Sequence, residues 1–395
     1  MDRRNFIKKS GAAVAASALV PSASFAAAPT EKRLIVIILR GGLDSLHALA
    51  PYADSEYSRV RPTLALSGPS EEGGVIDLNG YFGLHPALAG LHDLFQKKEA
   101  LLLPASSTRY RNRSHFDAQN LLENGSGKPF GIKDGWLNRA ISGIGGGSRR
   151  LGLALGPVVP LILLGKEGVQ SWAKSKLPEV DEDFLVRLGN LYQKDPLFAE
   201  AYKNARGGFK PNVDMDGLQS LRRKEKDILL ASRAAAELLR APKGPRIAVM
   251  EMQGWDTHFG QSWRLDKLFQ LYSKSLRELK VGLGPEWLNT AVVTVSEFGR
   301  TVAENGSKGT DHGTGGIAIL AGGAVNGGRI IGKWPGLAEG ALYEGRDLRP
   351  VNSHEGLFKG VLVQHLGLKD SFVEEVVFPD SSAVPRLEGV FRLNS

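Results

Sequence analysis

The stretch Ala291 to Gly316, AVVTVSEFGRTVAENGSKGTDHGTGG, decides how the rest of the chain is read. It opens on an apolar run, Ala291-Val292-Val293-Thr294-Val295, which the pattern predicts as a strand buried on both faces. The run stops at Ser296, Glu297, Gly299 and Arg300. A Gly- and Asn-rich loop then closes on Thr310-Asp311-His312-Gly313. A buried parallel strand that delivers a carboxylate at its C-terminal end is the usual plan of an α/β site.

Two other strands end the same way. Lys32 to Leu39 (KRLIVIIL) is almost wholly apolar and leads through Arg40-Gly41-Gly42-Leu43 to Asp44. Asp44 reads either as a metal ligand or as the cap of the next helix. Arg246 to Met252 leads to Gly254-Trp255-Asp256-Thr257-His258, and an extended backbone there points Asp256 and His258 the same way. An amphipathic helix follows over Gln261 to Leu279, with Leu265, Leu268, Phe269, Tyr272 and Leu276 on one face.

A further strand, Ala100 to Ala105, precedes Arg109, Arg111, Arg113, Ser114 and His115. The spacing predicts a helix from about Ser114 to the stop signal Asn124-Gly125. Ser114 is then an N-cap or a nucleophilic oxygen at the positive end of a helix. His115 is a ligand or a structural hydrogen-bonder. Of the other histidines, His85 and His92 fit capping and surface roles, His354 and His365 structural ones, and His47 is open.

The chain has 395 residues and no cysteine, so any metal must be held by His, Asp, Glu or neutral oxygens. Its formal charge is +8, of which Arg3, Arg4, Lys8, Lys9 and Asp2 supply +3. The remainder is mild and forms no basic run with interleaved aromatics, so no nucleic-acid partner is expected. Residues 1–28 read as a twin-arginine signal peptide: Arg3-Arg4-Asn5-Phe6-Ile7-Lys8, an apolar Gly11–Val20 run too short to span a bilayer, and small residues around Ala26. The expected partner during export is the twin-arginine translocase, and the expected location is periplasmic or secreted, without a stable membrane anchor. Residues 29–395 are expected to form one α/β domain, a doubly wound, mostly parallel sheet flanked by helices. A helical insertion is expected at 165–245, where the composition turns charged and helix-forming.

Three acids at strand ends and two histidines just beyond them converge on one crevice in such a sheet. The expected metal ligands are Asp44, Asp256, His258, Glu297, Asp311 and His312, holding one or two divalent ions: zinc, manganese, calcium or magnesium. Ser114 is the expected nucleophile, with Arg113 and Arg300 stabilising the transferred group.

The strings RGGLDSLHALAPYAD, FGLHPALAGLHDLF, RSHFDAQNLLENG, GWDTHFGQ and SEFGRT…NGSKGTDHG resemble the exported bacterial family catalogued as domain of unknown function 1501. That family is similar in fold to the alkaline phosphatase and sulfatase superfamily. The resemblance implies a metal-bearing aspartate at Asp44, a nucleophile at Ser114, an Asp and a His at Asp256 and His258, and a last ligand at Asp311-His312. It also implies an Asp-His pair where this chain has Glu297-Phe298. The expected function is metal-dependent hydrolysis of phosphate, sulfate or phosphonate esters, on a small anionic ester or an envelope polysaccharide. The alternative is a non-catalytic envelope binding or assembly protein that keeps the fold.

Overall fold

The first strand sets the layering. Arg33–Arg40 is buried along its whole length, and its side chains divide strictly by parity. Ile35, Ile37 and Leu39 enter one apolar cluster, while Leu34, Val36 and Ile38 enter a second on the opposite face. Only a sheet covered on both sides has room for such a strand. A computed structural model describes residues 30–144, 151–174, 182–193, 195–196, 198–199, 202, 211, 213 and 215–392. The expected signal peptide, residues 1–28, lies outside them.

The strands are β1 (Arg33–Arg40), β2 (Leu49–Ala50), β3 (Ile76–Asp77), β4 (Gly83–Leu84), β5 (Ala100–Ser107), β6 (Gly152–Leu155), β7 (Val169–Trp172), β8 (Ile247–Gln253), β9 (Thr290–Val295), β10 (Gly316–Ala321), β11 (Arg329–Ile330) and β12 (Asn352–Ser353). Nine of them form the main sheet in the order β11-β5-β10-β9-β1-β8-β6-β7, with β12 also on β5. Strands β2, β4 and β3 make a small antiparallel sheet beside it. In the main sheet every pairing is parallel except the two made by β10, which runs against both β9 and β5. The sheet is therefore mixed and mostly parallel, with helices on both faces.

One face is covered by α1 (Ala89–Gln96), α4 (Arg223–Arg240) and α5 (Gln261–Leu283), through Leu91, Phe95, Leu230, Leu239, Leu265, Phe269 and Leu276. The other is covered by α3 (Trp136–Gly143) and α6 (His354–Gly360), through Leu137, Ile141, Leu357 and Phe358. Helix α2 (His115–Asn124) starts and stops where the sequence pattern placed it, with Ser114 as N-cap and Gly125 left-handed at φ 63°. The segment expected as a helical insertion, 165–245, begins inside the sheet: Val169–Trp172 is its edge strand, and α4 at the other end packs into the main core. Among the described residues no helix is long and apolar enough to cross a membrane.

The topology explains where functional groups gather. Strands β1, β5, β8 and β9 run the same way, so residues just after them lie on one edge. Because β10 is reversed, the residues just before it return to that same edge.

Two histidines are locked in the fold far from charge compensation. His354 Nε2 lies 3.1 Å from Ser106 Oγ, and His365 Nε2–H donates to the Arg33 carbonyl at 2.8 Å. Burial pushes His354 from 6.5 down to about 3 and His365 from 6.5 down to about 4. The unfolded chain protonates both near their ordinary value, so between that value and the lowered ones it binds more protons than the folded chain. Stability is expected to fall as pH drops below about 6.5, by up to roughly 1.4 kcal/mol per pH unit for each histidine. Urea unfolding at several pH values checks this; His365→Gln should flatten the slope, and an unchanged slope would contradict the assignment.

Candidate metal centre

Four segments meet at the shared edge. After β8, Trp255 and Thr257 are fully buried while Asp256 and His258 face outward, the alternation of an extended chain. Trp255 anchors this segment in the core, and Thr257 Oγ1 donates to Gln261 Oε1 at 2.9 Å. The turn after β1 passes close beneath: a Cβ on Gly41, whose φ is +124°, would stand 2.4 Å from the Asp256 nitrogen. Beyond β9 the chain doubles back as a ribbon, with Gly299 N–H donating to Thr314 O and Gly313 N–H to Gly299 O. An antiparallel bridge pairs Arg300 with His312 within it. The tip of this ribbon laps over His258, where a Cβ on Gly309 would stand 2.3 Å from the His258 carbonyl carbon and oxygen. Helix α2 supplies His115 from its first turn.

Three imidazoles and one carboxylate result. His312 Nε2 lies 2.9 Å from His115 Nε2, 3.0 Å from His258 Nε2 and 3.2 Å from Asp256 Oδ1. His258 Nε2 lies 3.0 Å from Asp256 Oδ1, and His115 Nε2 lies 3.6 Å from Asp256 Oδ2. The group is reachable from solvent: the side chains of His115 and His312 are 27% exposed, His258 40% and Asp256 45%.

The opposite ring nitrogens fix what the Nε2 atoms are. His115 Nδ1 faces Glu297 Oε1 at 2.8 Å, His258 Nδ1 faces Asp311 Oδ1 at 2.9 Å, and His312 Nδ1 faces the Arg113 carbonyl at 3.1 Å. All three partners only accept, so each Nδ1 carries the proton, and in the neutral rings each Nε2 presents a bare lone pair. Three lone pairs aimed at one another need a cation between them. Spacings near 3 Å approach the edge of a tetrahedral first-row metal site, about 3.3 Å for metal–nitrogen bonds near 2.0–2.1 Å. The residues fit a metal.

The charges agree. Glu297 is fully buried; burial alone would raise its pKa, but hydrogen bonds from His115, Gln119 and Gly41 outweigh it and hold the carboxylate down at about 2. Burial also acts to raise Asp256, yet Arg300 and the histidines hold it below its ordinary range. The hydrogen bond from His258 holds Asp311 low as well. The three ionised carboxylates face the guanidiniums of Arg300 at Asp256 and Arg346 at Asp311, so the negative charge exceeds the positive and a cation is favoured there.

Several sequence expectations are corrected by this geometry. Asp44 is not among the converging groups. Its carboxylate takes a paired ion bridge from Arg61, with Nη1 at 2.6 Å and Nη2 at 3.1 Å, receives Gln261 Nε2–H, and caps Leu46 N–H at 3.1 Å. Both of its oxygens are committed to holding the turn. Glu297 and Asp311 orient histidines rather than point their oxygens into the cluster. The Arg113 guanidinium is held by Asp347 at 2.7 Å and Glu344 at 2.5 Å, and Arg113 serves the site with its carbonyl, from a left-handed backbone at φ 62°. Arg300 is buried under Asp256, its Nη2 2.9 Å from Oδ1 in an ion pair, and among the described residues its guanidinium finds no well-aligned hydrogen-bond partner. Its charge reaches a bound group through Asp256.

His115 is the central residue that sequence reasoning left undecided. The usable signal was its place one residue after a helix N-cap, close to a strand end. Phe298, where the resemblance implied a histidine, packs its ring 4.7 Å from that of His115 and 5.1 Å from that of His312. His115 thus brings an imidazole to the cluster from another part of the chain.

Two substitutions separate these roles. Glu297→Gln should keep the fold and weaken zinc binding about 10- to 100-fold, as loss of a charged orienting partner does. Asp44→Asn should leave metal content unchanged while lowering stability by about 3–5 kcal/mol, the cost of stranding a buried Arg61. Titration calorimetry and urea unfolding read the two effects; loss of metal from Asp44→Asn would restore Asp44 as a ligand.

Comparison with known proteins adds the following. No curated protein matches the sequence. Among solved structures, Ps i-CgsB aligns at 12% identity, covering 88% of this chain and 74% of its own, with a TM-score of 0.43. The phosphonate monoester hydrolase of Agrobacterium radiobacter aligns at 11% identity over 86% and 74%, with a TM-score of 0.37. The PsFucS1 sulfatase from Pseudoalteromonas sp. aligns at 10% over 91% and 71%, with a TM-score of 0.41. A family model described as protein of unknown function (DUF1501) matches residues 198–377, a stretch that holds Asp256, His258, Glu297, Asp311 and His312, and there the chain resembles that family.

Proposed function

We propose that this protein is an exported, metal-dependent hydrolase of phosphate, sulfate or phosphonate esters. The observation that carries the reading is the convergence of three bare Nε2 atoms on Asp256, with every Nδ1 already committed. His115, His258, His312 and Asp256 would hold one ion. An imidazole-rich set favours zinc over manganese, calcium or magnesium, which prefer oxygen. The ion would supply a compact positive charge that draws in an anionic ester and polarises its oxygens.

The remaining roles belong to the chain. Ser114 stands at the N-terminus of α2, one residue from His115, and its side chain makes no capping bond to the helix. Its backbone N–H donates to the Tyr110 hydroxyl at 3.3 Å, and that hydroxyl donates to Asp117 at 3.0 Å, so the turn carrying the serine is fixed. In this reading Ser114 Oγ attacks the phosphorus or sulfur centre, the bond to the ester oxygen breaks and that oxygen leaves as the alcohol with the serine proton, and water then releases the group and returns a proton to the serine. The free amides of the helix start favour the transferred anion. Arg300 holds Asp256 ionised and in place. The engagement of Asp44 by Arg61 argues for one ion rather than two. It also favours, as a second reading, a binding protein that keeps the ion without turnover.

Ser114→Ala is expected to abolish hydrolysis of aryl phosphate, sulfate and phosphonate esters while leaving about one equivalent of metal bound. Metal content by plasma mass spectrometry and a turnover assay decide it. Retained turnover would remove Ser114 as nucleophile, and stoichiometric metal with no turnover across the panel would favour the binding protein.

A further inference from the structure

Among the described residues, four Phe or Trp side chains are more than half exposed: Phe116 at 76%, Phe130 at 57%, Phe259 at 55% and Trp263 at 56%. Each is, or is tied to, a residue next in the chain to a histidine of the cluster. Phe116 directly follows His115, and its ring meets that of Phe130 at 5.9 Å. Phe259 directly follows His258, and Trp263 lies in the first turn of α5 just beyond. Leaving large aromatic surface in water is unfavourable, and its concentration around recessed polar groups marks a place where a ligand covers it.

The second pair also carries charge. The Arg264 guanidinium lies 3.8 Å over the Phe259 ring and 5.1 Å from the Trp263 ring, and Lys267 Nζ lies 5.1 Å from the Trp263 ring. Aromatic faces interleaved with cations fit a ligand that has flat apolar faces and repeated negative groups. A sugar ring offers C–H faces to an aromatic plane, and sulfate, phosphate or carboxylate substituents offer the charge. Because one pair follows His115 on α2 and the other follows His258 at the start of α5, a ligand that engages both must reach two chain segments that meet at the cluster. A small ester could touch one pair and not both.

We propose that the substrate is an anionic polysaccharide, gripped by Phe116–Phe130 and by Phe259–Trp263 with Arg264 and Lys267, so that one of its ester groups meets the metal cluster. This rests on the ester-hydrolase reading for the final step, but the grip does not depend on turnover.

The test uses the mature, metal-loaded protein with three polymers: dextran sulfate, polygalacturonate and neutral dextran. Affinity electrophoresis and calorimetry at physiological salt should show binding to at least one of the two anionic polymers and none to neutral dextran. Trp263→Ala and Phe116→Ala should each weaken that binding roughly tenfold, as loss of a central aromatic anchor does. Metal content should stay unchanged. Anionic binding that both variants retain in full would overturn the proposal as mere charge attraction. So would absence of polymer binding, or Trp263-dependent binding to phosphatidylglycerol vesicles in its place. Turnover of small esters without polymer binding would defeat this inference and leave the hydrolase reading intact. Aromatic-dependent polymer binding without any turnover would do the reverse.

Discussion

Everything at the working edge follows from three hydrogen bonds made by the far sides of three rings. Glu297, Asp311 and the Arg113 carbonyl each accept a hydrogen bond from an Nδ1–H, which keeps the proton of each neutral ring on that side and leaves the facing Nε2 atoms bare. Neutral imidazoles left to themselves could share a proton across a 2.9 Å contact. Here the acceptors are already chosen, so the lone pairs must face one another. Glu297 is the strongest of these constraints because it is wholly buried and held charged, and a buried carboxylate keeps its charge only by retaining its donors.

The scaffold serves that constraint by crowding backbone. Gly41 passes beneath Asp256, and Gly309 lies across the His258 carbonyl, at distances no side chain would tolerate. Gln261 ties three segments at once: its Oε1 accepts from Thr257 and Thr310, and its amide donates to Asp44. Asp44 in turn holds Arg61, whose other donors reach the carbonyls of Thr301 and Val302. The aspartate after the first strand thus serves overall stability, by fixing the buried Arg61, rather than the imidazoles themselves. A site that needs its ligands held to within fractions of an ångström is supported by such a shell.

Much of this was legible in the sequence, and the parts that were not share a cause. Strand ends at Glu297 and Asp256, the alternation of Asp256 with His258, and the limits of α2 all follow from local periodicity and stop signals. Asp44 and Asp256 look alike in sequence, each a carboxylate just past an apolar strand. They differ because an arginine seventeen residues on from Asp44 folds onto it, a tertiary fact with no local signature. Arg113 acts through its carbonyl, an atom every residue has, so its side chain drew attention for the wrong reason. His115 was ambiguous because a helix start looks the same whether its first ring points to solvent or to a ligand. The reversal of β10 is likewise silent in an apolar run, yet it is what brings His312 to the same edge as the rest.

That reversal has a mechanical side as well as a geometric one. The connection from β9 to β10 leaves and rejoins the sheet on a single edge, as a hairpin does, without crossing to the far side of the molecule. Its tip around Asn305 to Gly309 is tied down: Asn305 Nδ2–H donates to the His258 carbonyl at 2.9 Å and to Asp311 Oδ1 at 3.1 Å, and the Ser307 and Lys308 carbonyls accept from the Gly260 and Gln261 amides. A change in the length of this tip would be felt at His258 and Asp311 before it reached the core. One continuous stretch of polypeptide thus closes a sheet edge and clamps a histidine of the cluster in the same turn.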